Sequence, residues 1–322
     1  MIDICVQNNN TAALKENLSK FRNYFQHQSM TLLESVFRYL IRETKQIMAE
    51  IEKSHGTQKI CALLTDDTSS GNPETEQAIF QQGDATAEQL ILLANCDLDE
   101  LIERNKLMPR INFFLESFKI ILDATRQNYH LLELYNISAA KLLEFCYKFK
   151  CKKEFIKVSE ILHDHFKKLR QQKQPDKGIP YPVTLKDEEC TEKLLEVRQT
   201  QLEYSLKMEE WTDAFRTSEI IFFLINRREK HSTKQILESF FTNLASIFWK
   251  SENHLFHSYT LQNLLKIVRT SNTRTADEKL NLACQLILST LSVPLNNKVS
   301  NFHRLSTAYQ PKDMQENVEN SA

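Results

Sequence analysis

Apolar side chains recur along most of this chain with the spacing of amphipathic helices. Stripes that begin at Leu33, Ile111, Leu237 and Leu280 follow the i, i+3, i+4, i+7 pattern, which places side chains on one helix face. The pattern predicts an all-α protein. We predict helices near residues 11–27, 30–54, 86–104, 108–127, 130–149, 152–173, 187–208, 210–229, 233–251, 253–270 and 275–291.

Two interruptions divide the helical pattern. Residues 55–85 hold three of the four glycines and a run of polar and acidic residues, which predicts a flexible acidic loop. Residues 174–185 contain three prolines and are predicted to be a minor linker. The remaining segments are predicted as N-terminal helices at 1–54, a helical-repeat domain at 86–294 and a polar tail at 295–322.

One segment of the chain is repeated. Residues 144–162 align without gaps to residues 203–221, and each has the pattern of a helix end, a tight turn and the start of the next helix. Ala214, three residues after Trp211, has the small-residue spacing of repeat helices that approach closely. Stacked helix pairs bury their apolar faces on their neighbours, so we predict a solenoid of antiparallel helix hairpins, like TPR or HEAT repeats. The alternative is a chance likeness between generic amphipathic hairpins.

Composition excludes several classes of function. Four isolated glycines in 322 residues exclude the Gly-rich loops that bind phosphates and dinucleotides. The seven cysteines are odd in number and form no Cys-x-x-Cys pair, which predicts reduced core thiols. The sequence shows neither a signal peptide nor an apolar run long enough to cross a bilayer. We therefore predict a cytoplasmic protein with no cofactor, no membrane partner and no small-molecule substrate.

Candidate metal ligands and nucleophiles are few. The histidine pairs at 163/165 and 254/257 lack a third ligand at a suitable spacing for zinc. Asp66–Asp67 lacks the third acid of a metal-binding motif, and Asp97–Glu100 lacks the glycine of a calcium loop. No serine or cysteine stands in a recognisable nucleophile context. We predict a non-enzymatic scaffold, and an all-α enzyme is the alternative.

A basic segment is the one functional surface that the residues alone suggest. Residues 148–177 carry ten Lys or Arg against four acids, and contacts with phosphates need such charges in no particular order. No aromatic platform for stacking bases is apparent beside the charges, so the alternative is a solvated face. The predicted RNA- and ribosome-binding residues are Lys148, Lys152, Lys153, Lys157, Lys167 and Lys168.

The junction at residues 247–265 joins two amphipathic helices and holds one of the two tryptophans. We predict that Phe248 and Trp249 form an aromatic wedge closing the first helix. Asn253 is the predicted N-cap of the second helix. Leu255 and Phe256 then pack back against the junction.

Five segments resemble, in order and approximate spacing, the family of eukaryotic translation initiation factor 3a (eIF3a). Residues 107–118 resemble the family's Pro-x-Val-x-Phe-Leu-Trp-Glu-Ser-Tyr helix start, and the chain's Trp211-Thr-Asp-Ala-Phe215 matches its Trp-x-x-Ala-Phe element. The other segments are 142–162, 247–265 and 286–294.

The resemblance implies an RNA-associated scaffold built from helical repeats that precede a PCI domain. Its implied partners are the other initiation factor 3 subunits, the small ribosomal subunit near the mRNA exit, and RNA through backbone contacts. A scaffold of another PCI complex, the proteasome lid or the signalosome, is the alternative.

The resemblance also has boundaries. It begins partway through a helix and is expected to stop after Pro294, ahead of the PCI domain through which the family pairs with another protein of the factor. Terminal repeats without neighbours leave apolar faces uncovered. We therefore expect exposed side chains at Ile2, Val6, Leu280 and Ile287.

Overall fold

The computed structural model describes the chain in separate stretches. These are residues 2–25, 28–65, 98–172, 181–227, 234–270 and 274–293. Throughout them the regular elements are helices, apart from one isolated antiparallel bridge between Asn128 and Pro182. The predicted all-α class is therefore confirmed. The predicted polar tail, 295–322, lies outside the described residues.

The chain divides into two compact units, Met1–Thr184 and Leu185–Ala322. The boundary falls at the end of the predicted linker, residues 174–185. At this end of the first unit, the Val183 N–H donates to the Gln127 carbonyl at 3.1 Å. The four residues before the boundary therefore do not form a free linker.

The helices of the first unit pack mainly against their neighbours along the chain. They are α1 (Ile2–Gln7), α2 (Thr11–Phe25), α3 (Met30–Thr65), α4 (Leu98–Thr125), α5 (Leu132–Lys148) and α6 (Lys152–Gln171), with a short 3-10 helix at Tyr129–Leu131. Helix α4 packs against α2, α3 and α5, and α5 packs against α6. The stripe that begins at Ile111 is buried along its length, because it faces these neighbours.

Helix α3 has a kink at Gly56, close to where its apolar pattern predicted an end. The predicted loop 55–85 was nevertheless wrong at its start, because helical structure resumes after the kink and runs to Thr65. Gly56 adopts φ 72° and ψ 153° inside this helix, a conformation that glycine adopts at little steric cost. The helix resumes beyond it and buries Ile60 completely. Residues 66–85 lie outside the described residues.

Helix α4 also differs from the prediction, which placed separate helices at 86–104 and 108–127. A single helix runs from Leu98 to Thr125 with Pro109 inside it. Proline removes one backbone hydrogen bond from a helix interior. Leu107 and Ile111 are both buried on either side of it, so packing on the core holds the two halves together.

The second unit stacks five helices in its described residues. They are α7 (Glu188–Lys207), α8 (Trp211–Arg227), α9 (Lys234–Lys250), α10 (His254–Thr270) and α11 (Ala276–Leu291). Each helix packs against the next, and α9 also contacts α7. Packing against the next neighbour and the one beyond is the arrangement of helical repeats, which confirms the predicted repeat fold.

Four turns between consecutive helices share one backbone conformation. In each, the residue after the positive-φ residue donates its N–H to the carbonyl five positions earlier, a Schellman-type cap. The positive-φ residues are Asn9 (49°), Lys150 (54°), Glu209 (60°) and Glu252 (57°). The donor and acceptor residues are Asn10 and Cys5 (3.0 Å), Cys151 and Cys146 (3.0 Å), Glu210 and Ser205 (2.9 Å), and Asn253 and Phe248 (3.1 Å).

These turns give the internal repeat a structural basis. The aligned segments 144–162 and 203–221 each contain one of them, at equivalent positions. Two further copies, centred on Asn9 and Glu252, were missed in the sequence. None of the four positive-φ residues is glycine, so the usual residue signal for this cap was absent.

Candidate functional site

The aromatic junction between α9 and α10 is organised around Phe248. This side chain is 4% exposed and stacks on Phe256 with ring centroids 5.4 Å apart. Phe215 of α8 meets it edge-on at 6.3 Å. Phe248 therefore occupies the wedge position between three helices, and Phe215 is a contributor that sequence reasoning missed.

Trp249 does not belong to this wedge, and the prediction was wrong for it. Its side chain is 65% exposed and lies beside His257, with ring centroids 5.4 Å apart. Adjacent residues in a helix point about 100° apart, so a register that buries Phe248 turns Trp249 outward. Leu255 is likewise 45% exposed and does not pack back as predicted.

Asn253 sits at the N-cap of α10. Its Oδ1 accepts the backbone N–H of Phe256 at 3.3 Å, and the residue is 5% exposed. This bond satisfies one of the N–H groups that a helix N-terminus leaves without an intrahelical partner. The side chain therefore starts the helix and orients Phe256 toward Phe248.

Trp211 and Ala214 begin helix α8. Ala214 is fully buried where α8 packs against α7, so its small side chain lets the two helices approach. Trp211 is half-buried, and the Lys250 ammonium lies 5.7 Å from the centre of its ring. Both tryptophans of the chain therefore border the end of α9.

The six predicted RNA-binding lysines lie at the end of α5 and along α6, and all six are exposed. Lys148 and Lys157 form ion pairs with carboxylates. Lys148 Nζ lies 2.7 Å from Glu52 Oε1, and Lys157 Nζ lies 2.6 Å from Glu154 Oε1. Part of the positive charge counted in the sequence is therefore neutralised within the protein.

Glu154 is the centre of this neutralisation. Burial opposes its ionisation, but hydrogen bonds from Lys157 and Lys119 outweigh burial and lower its pKa. Burial likewise opposes the charge of Lys119, while hydrogen bonds to Glu116 and Glu154 raise its pKa above the usual value. The Glu154 carboxylate and the Lys119 ammonium therefore both stay charged near neutral pH.

Acidic residues also share the exposed face of α6. Successive helical positions differ by about 100°, which places Glu160 and Asp164 between Lys153, Lys157 and Lys168. Both acids are exposed. The face is therefore a mixed surface with excess lysine. Helical spacing in the sequence alone already indicates that these acids share the face with the lysines.

One exposed aromatic side chain stands beside the lysines, contrary to our interpretation of the sequence. Tyr147, in the last turn of α5, is 44% exposed. An exposed ring next to lysines supplies the flat surface on which a base can stack. An exposed ring that the sequence analysis did not indicate therefore borders the basic segment.

The cysteines and histidines show no catalytic arrangement in the described residues. Burial raises the pKa of Cys151 to about 12 and raises that of Cys146 further, so both thiols stay protonated and poorly nucleophilic. Cys284 is exposed and is thus not the core residue we predicted. Across the described stretches, no cluster of three or more His, Cys, Asp or Glu could hold a metal ion. Asp66–Asp67 and Cys96 lie outside them.

Comparison with known proteins identifies the family. A family model described as "eIF3a, PCI domain, TPR-like region" matches residues 1–316. The chain belongs to the eIF3a family of eukaryotic translation initiation factor 3. The match passes Pro294, where we expected the resemblance to stop, so that expectation was wrong.

Individual relatives carry the same family name. The chain is 27% identical over 304 residues to the eIF3a protein of Nematostella vectensis, covering 93% of this chain and 30% of the relative. The human protein of that name is 26% identical over 305 residues, covering 94% of this chain and 21% of the relative. The chain therefore spans less than a third of these relatives.

Hydropathy adds one further observation. In the described parts of the chain, no helix combines the length and apolar character needed to cross a membrane.

Proposed function

We propose that this chain is a non-catalytic scaffold subunit of the translation initiation factor 3 complex, acting in the cytoplasm. The observation that carries the proposal is the family match across residues 1–316. The relatives that share it are named as the eIF3a protein of that factor. The alternatives, another PCI complex and an all-α enzyme, have no comparable support.

The helical-repeat architecture supports a scaffold role. Each helix uses one face for its neighbours and leaves another in solvent, so a stack of hairpins offers a long surface to partners. We propose that the other initiation factor 3 subunits and the small ribosomal subunit bind such surfaces. The protonated, buried thiols of Cys146 and Cys151 then serve as core residues.

We propose that the basic segment of α5 and α6 contacts RNA through its phosphates. Lys152, Lys153, Lys167 and Lys168 are exposed, as contacts with phosphates require. Tyr147 adds an exposed ring. Glu160 and Asp164 share the surface, so we expect a contact of moderate strength with little sequence preference.

The experiment measures binding to purified small ribosomal subunits over a range of salt concentrations. Phosphate contacts release counterions, so affinity should fall steeply as salt rises. The variant Lys153→Glu/Lys157→Glu/Lys168→Glu should bind more weakly and show a flatter salt dependence. A control variant reverses Lys15, Lys45 and Lys266, which are exposed on α2, α3 and α10, and matches the change in net charge.

A second variant separates binding from stability. Lys157 pairs with Glu154, so its reversal places two carboxylates together. Lys153→Gln/Lys167→Gln/Lys168→Gln leaves that pair intact and should also flatten the salt dependence. Equal losses of binding in the basic-segment and control variants, or no loss in either, would indicate that the segment is only a solvated face.

A further inference from the structure

The second unit contains an open groove whose walls are mostly apolar in area. It has a volume of about 640 Å³ and lies along α9, α10 and α11, with Trp211 of α8 at its edge. Leu261, Leu264 and Leu282 line it and are each less than 5% exposed. Ligand pockets of proteins commonly have volumes of about 300–1,000 Å³. The groove can therefore accept several side chains of a partner.

Large apolar side chains border this groove and remain in solvent. Trp249 is 65% exposed and Leu288 is 67% exposed, and both line the groove. Tryptophan is enriched among the residues that contribute most to binding at protein interfaces. Exposed apolar surface around a concave site is typical of an interaction surface.

The charges around the groove are cationic. Lys250 and Arg274 line it, and none of its described lining residues is Asp or Glu. Arg274 is already engaged, because its Nε lies 2.6 Å from Glu238 Oε1. Lys250 lies over the Trp211 ring and has no carboxylate partner among the described residues. The site therefore favours an anionic group beside Lys250.

We propose that this groove binds a short acidic peptide segment of a partner protein. An apolar side chain of the peptide packs between Trp249 and Leu288, and a carboxylate pairs with Lys250. Single-stranded RNA fits less well, although Trp211 and Trp249 line the groove and offer bases a stacking surface. A phosphate backbone needs several cations, and among the described lining residues one lysine has no carboxylate partner.

The test uses the full chain and two matched panels of labelled eight-residue peptides. Each peptide of the first panel carries a Leu or Phe pair flanked by Asp and Glu, and the second panel replaces every acid with Lys. We expect the acidic panel to bind at least about tenfold more tightly, as close charge pairs at interfaces allow. Peptides without tryptophan should change the chain's own tryptophan emission, because both tryptophans border the groove.

Variants locate the binding. Lys250→Glu should remove or reverse the preference for acidic peptides, and Leu288→Glu should abolish binding. Both residues are exposed, so the fold should survive, and unchanged circular dichroism checks this. Lys266→Glu on α10, which does not line the groove, is the control and should bind normally.

Several outcomes would overturn the proposal. They are equal binding of both panels, no effect of Lys250→Glu, and no peptide binding up to about 1 mM, the weak end of ordinary affinities. An octauridine oligonucleotide that competes with the acidic peptides, and binds better, would assign the groove to RNA instead. The basic segment lies in the other unit, so ribosome binding can be lost without affecting this result.

Discussion

Replacing the two neighbouring aromatic residues of the junction one at a time should give very different results. Phe248 is 4% exposed and Trp249 is 65% exposed. A buried aromatic side chain removes roughly 150–250 Å² from water, at about 25 cal/mol per Å². Phe248→Ala should therefore destabilise the protein by about 3–5 kcal/mol, the usual range for a buried phenylalanine.

Trp249→Ala should cost far less. Only about a third of its surface is covered, which gives about 2 kcal/mol as an upper bound at the same area coefficient. The unfolded chain already covers part of that surface, so we expect a loss of about 1 kcal/mol or less. The larger side chain should thus matter less to stability than the smaller one beside it.

Urea unfolding followed by tryptophan fluorescence measures both losses. Trp211 and Trp249 are the only tryptophans, and both lie in the unit Leu185–Ala322, so their emission reports the unfolding of that unit. Trp211 remains as the reporter in the Trp249→Ala variant. Equal losses, or a larger loss for Trp249→Ala, would show that our assignment of the buried face is wrong.

Three further predictions test the turns, the groove and the last helix. Glu209→Gly should stabilise the protein by about 0.5–1 kcal/mol, because glycine adopts the left-handed conformation without strain. The control Glu203→Gly, inside α7, should cost about 1 kcal/mol. The urea midpoints of the two variants measure this difference in stability. Burial lowers the pKa of His257 despite a hydrogen bond to Ala245 that raises it. The stability that neutral His257 contributes is therefore fully present above the unfolded pKa of about 6.5. This stability is lost as the pH falls through the lower pKa of the folded state. Urea midpoints at two pH values should differ less in His257→Gln than in the unchanged chain. Leu280 and Ile287, 64% and 59% exposed on α11, predict concentration-dependent self-association, which light scattering should find weakened in a variant with Glu at both positions.

Specific outcomes would contradict two of these predictions. A loss of stability in Glu209→Gly as large as that in Glu203→Gly would mean that the turn carries no strain. A monomer at high concentration by light scattering, in the unchanged chain, would mean that the exposed face of α11 does not associate.

The helices and several of their ends could be predicted from sequence because the signals are local. The spacing of Ile111, Phe114, Leu115, Phe118 and Leu122 defines one face of α4, and all five are buried. Asn253 is a residue type that caps helices, and it forms the capping bond. Hydrogen bonds and side-chain spacing within a few residues determine both features.

Other features depended on contacts between distant residues. Helical structure resumes after the kink at Gly56 and buries Ile60, and no local pattern indicates that. The carboxylate partner of Lys148 is Glu52, far away in sequence. Counting lysines could not reveal a partner that is brought close only by folding.

Helices α4 and α11 show that the sequence pattern does not determine whether an apolar helix face is buried. Both carry an apolar stripe with helical spacing, yet the stripe of α4 is buried while Leu280, Ile287 and Leu291 of α11 are 59–77% exposed. Periodicity determines which side chains share a helix face, because that depends only on backbone geometry. Whether a neighbour covers the face, as α2, α3 and α5 pack against α4, is decided by the tertiary structure, because burial requires a second surface.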